Sequence, residues 1–257
     1  MKRKTIGLLT GVLLLVIGII AGIGLSRSSK TVQSEETPVS KQPVTIVCYG
    51  DSNTWGFHPD TWGRYPYEER WTTLLQEKLG SDYLVIPEGL NSRTTAFDPV
   101  GDEAWKNGLY AISPVIGTNK PIDILLVMLG TNDCKFTQNI SAEEIGQGMD
   151  ELLTSAETTC MEVQGELPVF VVVVPPAILP DLKGTSFEKE FDVTSSDKSV
   201  EIASYYEAVA KKHNCIFVNA SDQAEVSPID GVHLTAKGHQ QLAELFYKTI
   251  STISVSR

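Results

Sequence analysis

Three short stretches hold residue types that could work together: Gly50-Asp51-Ser52-Asn53-Thr54-Trp55-Gly56, Gly130-Thr131-Asn132-Asp133 and Asp230-Gly231-Val232-His233. A serine hydroxyl is a weak nucleophile at neutral pH, so it needs a base within hydrogen-bond reach and a group that orients the base. Ser52, His233 and Asp230 are the right types for those three roles. Acyl transfer also builds a tetrahedral oxyanion that must be met by donors. The Asn132 amide and the backbone N–H groups of Ser52 and Gly89 could supply them, the bare Gly89 allowing close approach. Each stretch is weak evidence alone, because Gly, Asp, Asn and Ser are ordinary turn residues. Trp55 and Phe57 are candidates to line an acyl pocket, although aromatic residues beside a strand end serve the core as often. Arg93 could position substrate or pair with a carboxylate, and Asp51 is expected to stabilise its loop. Among the other histidines, His58 is a candidate for the site wall, while His213 and His239 are expected on helix surfaces or ends.

The joint placement of these stretches depends on the elements that carry them. From Val44 onward, short β-branched runs alternate with longer amphipathic ones, the pattern of an α/β protein whose parallel sheet is covered by helices on both faces. The runs Val44–Tyr49, Tyr83–Pro87, Ile122–Leu129, Val169–Val174 and Cys215–Val218 read as strands, nearly all apolar, as burial on both sides demands. Trp71, Leu74, Leu75 and Leu79 recur at helical spacing, and Ser141 with Glu144 three residues on forms a capping box. A last helix opens near Thr235 and carries Leu242, Leu245 and Phe246 on one face. Ligand-contacting residues of open α/β sheets gather in loops at the carboxyl ends of the strands, where all three stretches fall. There is no phosphate loop, no H-E-x-x-H zinc site and no G-x-S-x-G elbow, so no cofactor and no metal is implied.

On these residues the chain resembles the SGNH, or GDSL-type, hydrolase superfamily, whose four named residues would here be Ser52, Gly89, Asn132 and His233. The likeness spans most of residues 44–250 and is closest to the arylesterase and acyltransferase branch. It is carried by Gly50 to Gly56, Arg70-Trp71-Thr72, Glu88 to Thr95, Met128 to Asp133 and Asp230 to Thr235. The resemblance implies a flavodoxin-like, three-layer α/β/α sandwich around a central five-stranded parallel sheet. It also implies a serine esterase that works through an acyl-enzyme on acetyl or other short acyl groups, borne by aryl, alkyl or carbohydrate alcohols. Transfer to an alcohol instead of water is the near alternative, and a non-catalytic cell-surface binding module on the same fold is the distant one. Two departures bear on the acyl pocket. Asn53 stands where many relatives carry Leu, and Ser92 stands where Gly is more usual before the Arg matched by Arg93.

The 257 residues divide unevenly. Lys2, Arg3 and Lys4 precede an uncharged run from Thr5 to Leu25, which at ~1.5 Å per residue matches a bilayer core. Residues 1–27 are therefore expected to be a retained membrane anchor with the remainder outside. A cleaved signal peptide is the alternative, given Ala21, Gly22 and Gly24. Residues 28–43 read as a flexible linker and 44–257 as the hydrolase domain. Four of the 21 basic residues and none of the 32 acids lie in the first 27 positions, so the rest carries 17 basic residues against 32 acidic ones. Such a body repels nucleic acid and anionic headgroups, leaving a small ester, including an acylated carbohydrate, as the expected partner. Cys48, Cys134, Cys160 and Cys215 lack metal-type spacing; Cys48 and Cys215 are expected to be buried free thiols, and no cysteine is expected to be catalytic.

Overall fold

The computed structural model describes residues 42–255. In chain order the elements are β1 (Val44–Gly50), α1 (Ser52–Trp55), β2 (Phe57–His58), β3 (Gly63–Arg64), α2 (Trp71–Leu79), β4 (Tyr83–Gly89), α3 (Gly108–Asn119), β5 (Ile124–Met128), α4 (Ala142–Gln164), β6 (Val169–Val174), α5 (Val193–Lys212), β7 (Ile216–Asn219) and α6 (Ala236–Ile250). Five strands form one parallel sheet in the order β4-β1-β5-β6-β7, while β2 and β3 pair as a small hairpin.

Side chains of successive strand residues point to opposite faces, so each central strand feeds two cores. Val47, Tyr49, Leu125, Val127, Val172 and Val174 pack with Ile112 and Ile116 of α3, Leu152 and Leu153 of α4 and Tyr206 of α5. Ile46, Cys48, Leu126, Met128 and Val173 pack on the other face with Trp71 and Leu75 of α2 and Leu242 and Phe246 of α6. This is the expected three-layer α/β/α sandwich. The edge strands differ from expectation in one respect. β4 has no fully buried residue, Leu84 and Pro87 being exposed and the rest half-buried, because a strand with one neighbour and incomplete helical cover has no second partner to hide its outer side chains.

The caps follow local chemistry. Ser141 Oγ accepts the Glu144 N–H at 3.2 Å while Glu144 Oε2 accepts the Ser141 N–H at 2.7 Å, closing the expected box at the start of α4. Thr235 caps α6 by accepting the Gly238 N–H at 3.0 Å, which fixes where the preceding Asp230–Leu234 loop must end. Cys48, Cys134 and Cys160 are buried free thiols; Cys215 is only half-buried. Burial pushes the Cys160 thiol up to about 11 and that of Cys215 up to about 12, so neither offers a thiolate at neutral pH. Among the described residues no helix is long and apolar enough to cross a membrane. The expected anchor over 1–27 and the linker over 28–43, residues 42 and 43 apart, lie outside the described residues.

Candidate active site

The turn that carries Ser52 is built by close backbone packing at the end of β1. Asp51 caps the single turn α1 by accepting the Asn53 N–H at 2.9 Å, and Ser52 follows it with 5% of its surface exposed. Gly50 and Gly89, register partners at the ends of β1 and β4, are both required by space. A Cβ on Gly50 would lie 2.1 Å from Thr54 Oγ1, and one on Gly89 would lie 2.1 Å from the Trp55 backbone nitrogen. Gly89 thus lets the second strand pack behind the nucleophile turn. It does not line the cavity in front of Ser52, where Ser92 and Asn132 do.

The loop after β7 brings His233 to Ser52. Ser52 Oγ lies 2.8 Å from His233 Nε2, and His233 Nδ1 lies 2.7 Å from Asp230 Oδ2. With Nδ1–H donating to the carboxylate, Nε2 is left to accept the serine hydroxyl proton. Asp230 is fully buried, and its other oxygen accepts the N–H groups of Val232 and His233, both at 2.9 Å. Burial pushes this carboxyl up, but the hydrogen bond and charge of His233 and the two backbone donors outweigh it and hold the group below its ordinary value. Asp230 is therefore ionised at neutral pH, as an orienting partner must be.

Asn53 carries a link that its sequence position did not announce. Its Oδ1 accepts the Leu234 N–H at 3.1 Å and its Nδ2 donates to the Val232 carbonyl at 3.4 Å, so one buried amide brackets His233 on both sides. A leucine at this place could make neither bond. Asn132 Nδ2 donates one hydrogen to the Arg93 carbonyl at 3.0 Å, which fixes the amide at the cavity wall. Its neighbour Asp133 is fully buried and accepts the Thr95 N–H and, at 2.6 Å, the Thr95 hydroxyl, tying the turn after β5 to the loop after β4. Burial pushes the Asp133 carboxyl up to about 6, with the Asp51 charge acting the same way. Burial also raises Asp51, against the pull of the Asn53 N–H and the Thr131 hydroxyl.

Several expectations are revised. Arg93 is buried, donating from Nη1 to the Gly50 carbonyl at 2.8 Å and to the Glu88 carbonyl, with its guanidinium 4.2 Å over the Tyr49 ring. It braces the ends of β1 and β4 rather than touching the cavity or a carboxylate. Trp55 is likewise outside the cavity wall, its ring covered by Arg64 at 4.9 Å. His58 stacks on Tyr65 at 4.2 Å and does not line the site. His213 closes α5 as expected, but His239 is fully buried, accepting the Trp71 N–H at 3.2 Å. Burial lowers its imidazole to about 3. Phe57 does line the cavity, 4.2 Å from the His233 ring.

The cavity measures about 490 Å³, within the range of small-molecule sites. Its remaining walls come from loops that sequence reasoning passed over. Trp62 lies in the β2–β3 hairpin, Phe187, Glu190 and Phe191 in the segment after β6, and Val100 and Asp102 in the segment after β4. The signal available for the last two segments was their place at carboxyl strand ends. Among the described residues no group of three or more His, Cys, Asp or Glu side chains could hold a metal ion.

A hydroxyl held against an imidazole whose far side is clamped to a buried carboxylate can be deprotonated as it attacks, which is the requirement for acyl transfer. The model of the GDSL-like lipase/acylhydrolase family matches residues 48–241, a span that contains the whole of this arrangement. The chain belongs to that family. As a GDSL-like acylhydrolase of the SGNH type it is a carboxylic ester hydrolase, and the alternative of a non-catalytic binding module is set aside. This acylhydrolase is 34% identical to Est24, a carbohydrate acetylesterase from Sinorhizobium meliloti, over 81% of this chain and 98% of that one, with a TM-score of 0.75. It is 30% identical to the M. smegmatis aryl esterase over 82% of this chain and all of that one, with a TM-score of 0.76. A member of the lipolytic protein G-D-S-L family from Veillonella parvula, at 16% identity and a TM-score of 0.58 over 82% of this chain and all of that one, shares the fold. No curated protein matches the chain.

Proposed function

We propose that the enzyme hydrolyses acetyl and other short-chain esters through an acyl-enzyme on Ser52. The reading is carried by the continuous Ser52–His233–Asp230 contact, at 2.8 and 2.7 Å, in the wall of the cavity. Ser52 Oγ attacks the ester carbonyl carbon and its proton passes to His233 Nε2. The oxyanion that forms is met by the second N–H of Asn132 and by the backbone N–H groups of Ser52 and Ser92, the last taking the place first given to Gly89. Collapse expels the alcohol, which takes the proton from the imidazolium. Water then repeats the sequence at the acyl carbonyl, with His233 as base, and frees the acid and Ser52. An alcohol in place of water would give a transferred ester. The likeness to a carbohydrate acetylesterase and an aryl esterase supports a short acyl group and leaves room for either alcohol.

Ser52→Ala should lower kcat by at least about 10³-fold while the melting transition stays in place, since the loss is of the nucleophile alone. A serine-directed phosphonate should label Ser52 in the parent enzyme. Full turnover by the alanine variant would remove the acyl-enzyme mechanism. We further propose that residues 1–27 hold the enzyme in the membrane with the hydrolase domain outside, a reading supported by the uncharged Thr5–Leu25 run and its basic flank.

A further inference from the structure

The loop after β4 holds a backbone conformation that its residue does not favour. The Arg93 N–H donates to the Leu90 carbonyl at 3.1 Å and Ser92 stands at φ +65°, which makes Leu90-Asn91-Ser92-Arg93 a type II turn with Ser92 in the third place. That place belongs to glycine, because an L side chain crowds its own backbone at positive φ. The turn type decides the direction of one peptide. Types I and II over the same residues differ by about a half-turn of the central peptide, which exchanges its N–H for its carbonyl. Here that peptide joins Asn91 to Ser92, both in the cavity wall, and its N–H is the donor assigned above to the oxyanion. A serine left to itself relaxes to the type I form, where φ is negative and no crowding arises. The oxyanion would then face a carbonyl in place of a donor.

A carboxylate stands where it can prevent that flip. Asp102 lines the same cavity, and the Ser92 hydroxyl donates to it. The carboxylate is itself fastened. Its Oδ1 accepts Lys106 Nζ at 2.5 Å and the Glu103 N–H at 2.9 Å, while Lys106 Nζ also reaches Glu103 Oε2 at 3.0 Å. Burial pushes the Asp102 carboxyl up, but the bonds from Glu103, Lys106 and Ser92 outweigh it and hold the group below its ordinary value, so it is an ionised acceptor at neutral pH. The segment that carries Asp102 and Lys106 is tied back beside the turn, because the Lys106 carbonyl accepts the Thr94 N–H at 3.3 Å and the Thr94 carbonyl accepts the Gly108 N–H at 3.2 Å. The acceptor is therefore fixed relative to Ser92.

We propose, on the acyl-transfer reading above, that Asp102 is a positioning residue which, braced by Lys106 and acting through the Ser92 hydroxyl, locks the Leu90–Arg93 turn in the form that offers the Ser92 N–H to the oxyanion. Serine makes the turn a two-state element that the carboxylate biases. A glycine enters the positive-φ form without strain and has no hydroxyl to hold.

The test measures kcat and KM for phenyl acetate in the parent enzyme, in Asp102→Ala, Asp102→Asn and Lys106→Met, and in the same changes made on Ser92→Gly. Loss of the lock weakens the transition state and not substrate binding, so Asp102→Ala should lower kcat about 10-fold with KM changed less than about 2-fold. Loss of a whole oxyanion donor costs about 10²- to 10³-fold, and here the turn still visits the donor form. Lys106→Met leaves the carboxylate but loosens it, and should lower kcat about 3- to 5-fold. Asp102→Asn keeps an oxygen that accepts the Ser92 hydroxyl and should recover most of the rate. On Ser92→Gly, whatever that change does alone, each further change should alter kcat less than about 2-fold relative to Ser92→Gly itself, a difference between backgrounds that a merely structural role does not produce. Should Asp102→Ala fail to fold, Lys106→Met carries the same comparison. Equal losses in both backgrounds would mean that Asp102 acts otherwise than through Ser92, and a raised KM at constant kcat that it touches substrate; either overturns the proposal. Turnover by the parent with an unaltered kcat in Asp102→Ala sinks the lock alone; no turnover of any ester by the parent enzyme sinks the acyl-transfer reading and the lock with it.

Discussion

At the scale of single residues, the geometry of the proposed triad depends on the buried amide of Asn53. Asn53 follows the nucleophile in sequence and bonds the backbone on both sides of His233, so it sets the distance between the turn and the base. The contact to the Leu234 N–H, at 3.1 Å, is the stronger of the two; the contact to the Val232 carbonyl, at 3.4 Å, is near the limit of a hydrogen bond. Asn53→Leu leaves a buried donor and acceptor unpaired, which costs about 2 kcal/mol of stability and lets the imidazole drift. The expected outcome is a kcat reduced about 10- to 100-fold with KM nearly unchanged, because a misplaced base weakens the transition state and not binding. Asn53→Asp keeps the stronger acceptor and should lose less. Steady-state kinetics beside urea unfolding checks both, and an unaltered kcat in Asn53→Leu would remove the amide from the mechanism. The meeting of Ser52, His233 and Asp230 was legible, because a serine, a histidine and an aspartate each had to stand at a strand end to be useful. The role of Asn53 was not, since its partners lie 179 and 181 residues away.

At the scale of elements, the sequence pattern carries the central sheet and loses precision at its rim. Strands β1, β5 and β6 are buried on both faces and were readable as apolar runs; β7 begins one residue later than its run, and β4 follows an edge pattern. Loop walls such as Trp62 against Phe187 arise only when two distant connections meet, and no local periodicity records that meeting. The tie between the turn after β5 and the loop after β4 has a measurable signature in pH. Burial raises the Asp133 carboxyl from 3.8 to about 6, so the folded state keeps its proton over a range where the unfolded chain has lost it. The stability this group contributes is complete below about pH 4 and is lost as pH rises through about 6, a change of about 3 kcal/mol. Asp133→Asn can still accept from the Thr95 N–H and has no proton to lose. Its stability relative to the parent should therefore rise by about 3 kcal/mol between pH 4 and 7 in parallel urea titrations. A difference that does not move with pH would mean that Asp133 titrates as an ordinary carboxylate.

At the scale of the whole molecule, charge and hydropathy divide the work. Beyond residue 27 the chain holds 17 basic and 32 acidic residues, a balance that disfavours electrostatic adhesion to anionic headgroups, so the proposed attachment rests on insertion. Only the uncharged Thr5–Leu25 run, with Lys2, Arg3 and Lys4 before it, offers the apolar length and the flank that insertion requires. The two sources of attachment separate by salt, because electrostatic adhesion weakens as the Debye length falls to about 3 Å at 1 M and insertion does not. The full chain should stay in the membrane fraction through washes in 1 M salt and in alkaline carbonate. Its hydrolase domain should be cut by protease added outside intact cells, and a chain lacking residues 1–27 should be recovered in the soluble fraction. Release of the full chain by salt would reverse the charge argument. A soluble mature chain beginning near Leu25 or Ser26 would replace the anchor by a cleaved signal peptide and leave the catalytic reading untouched, since every residue it uses lies beyond Tyr49.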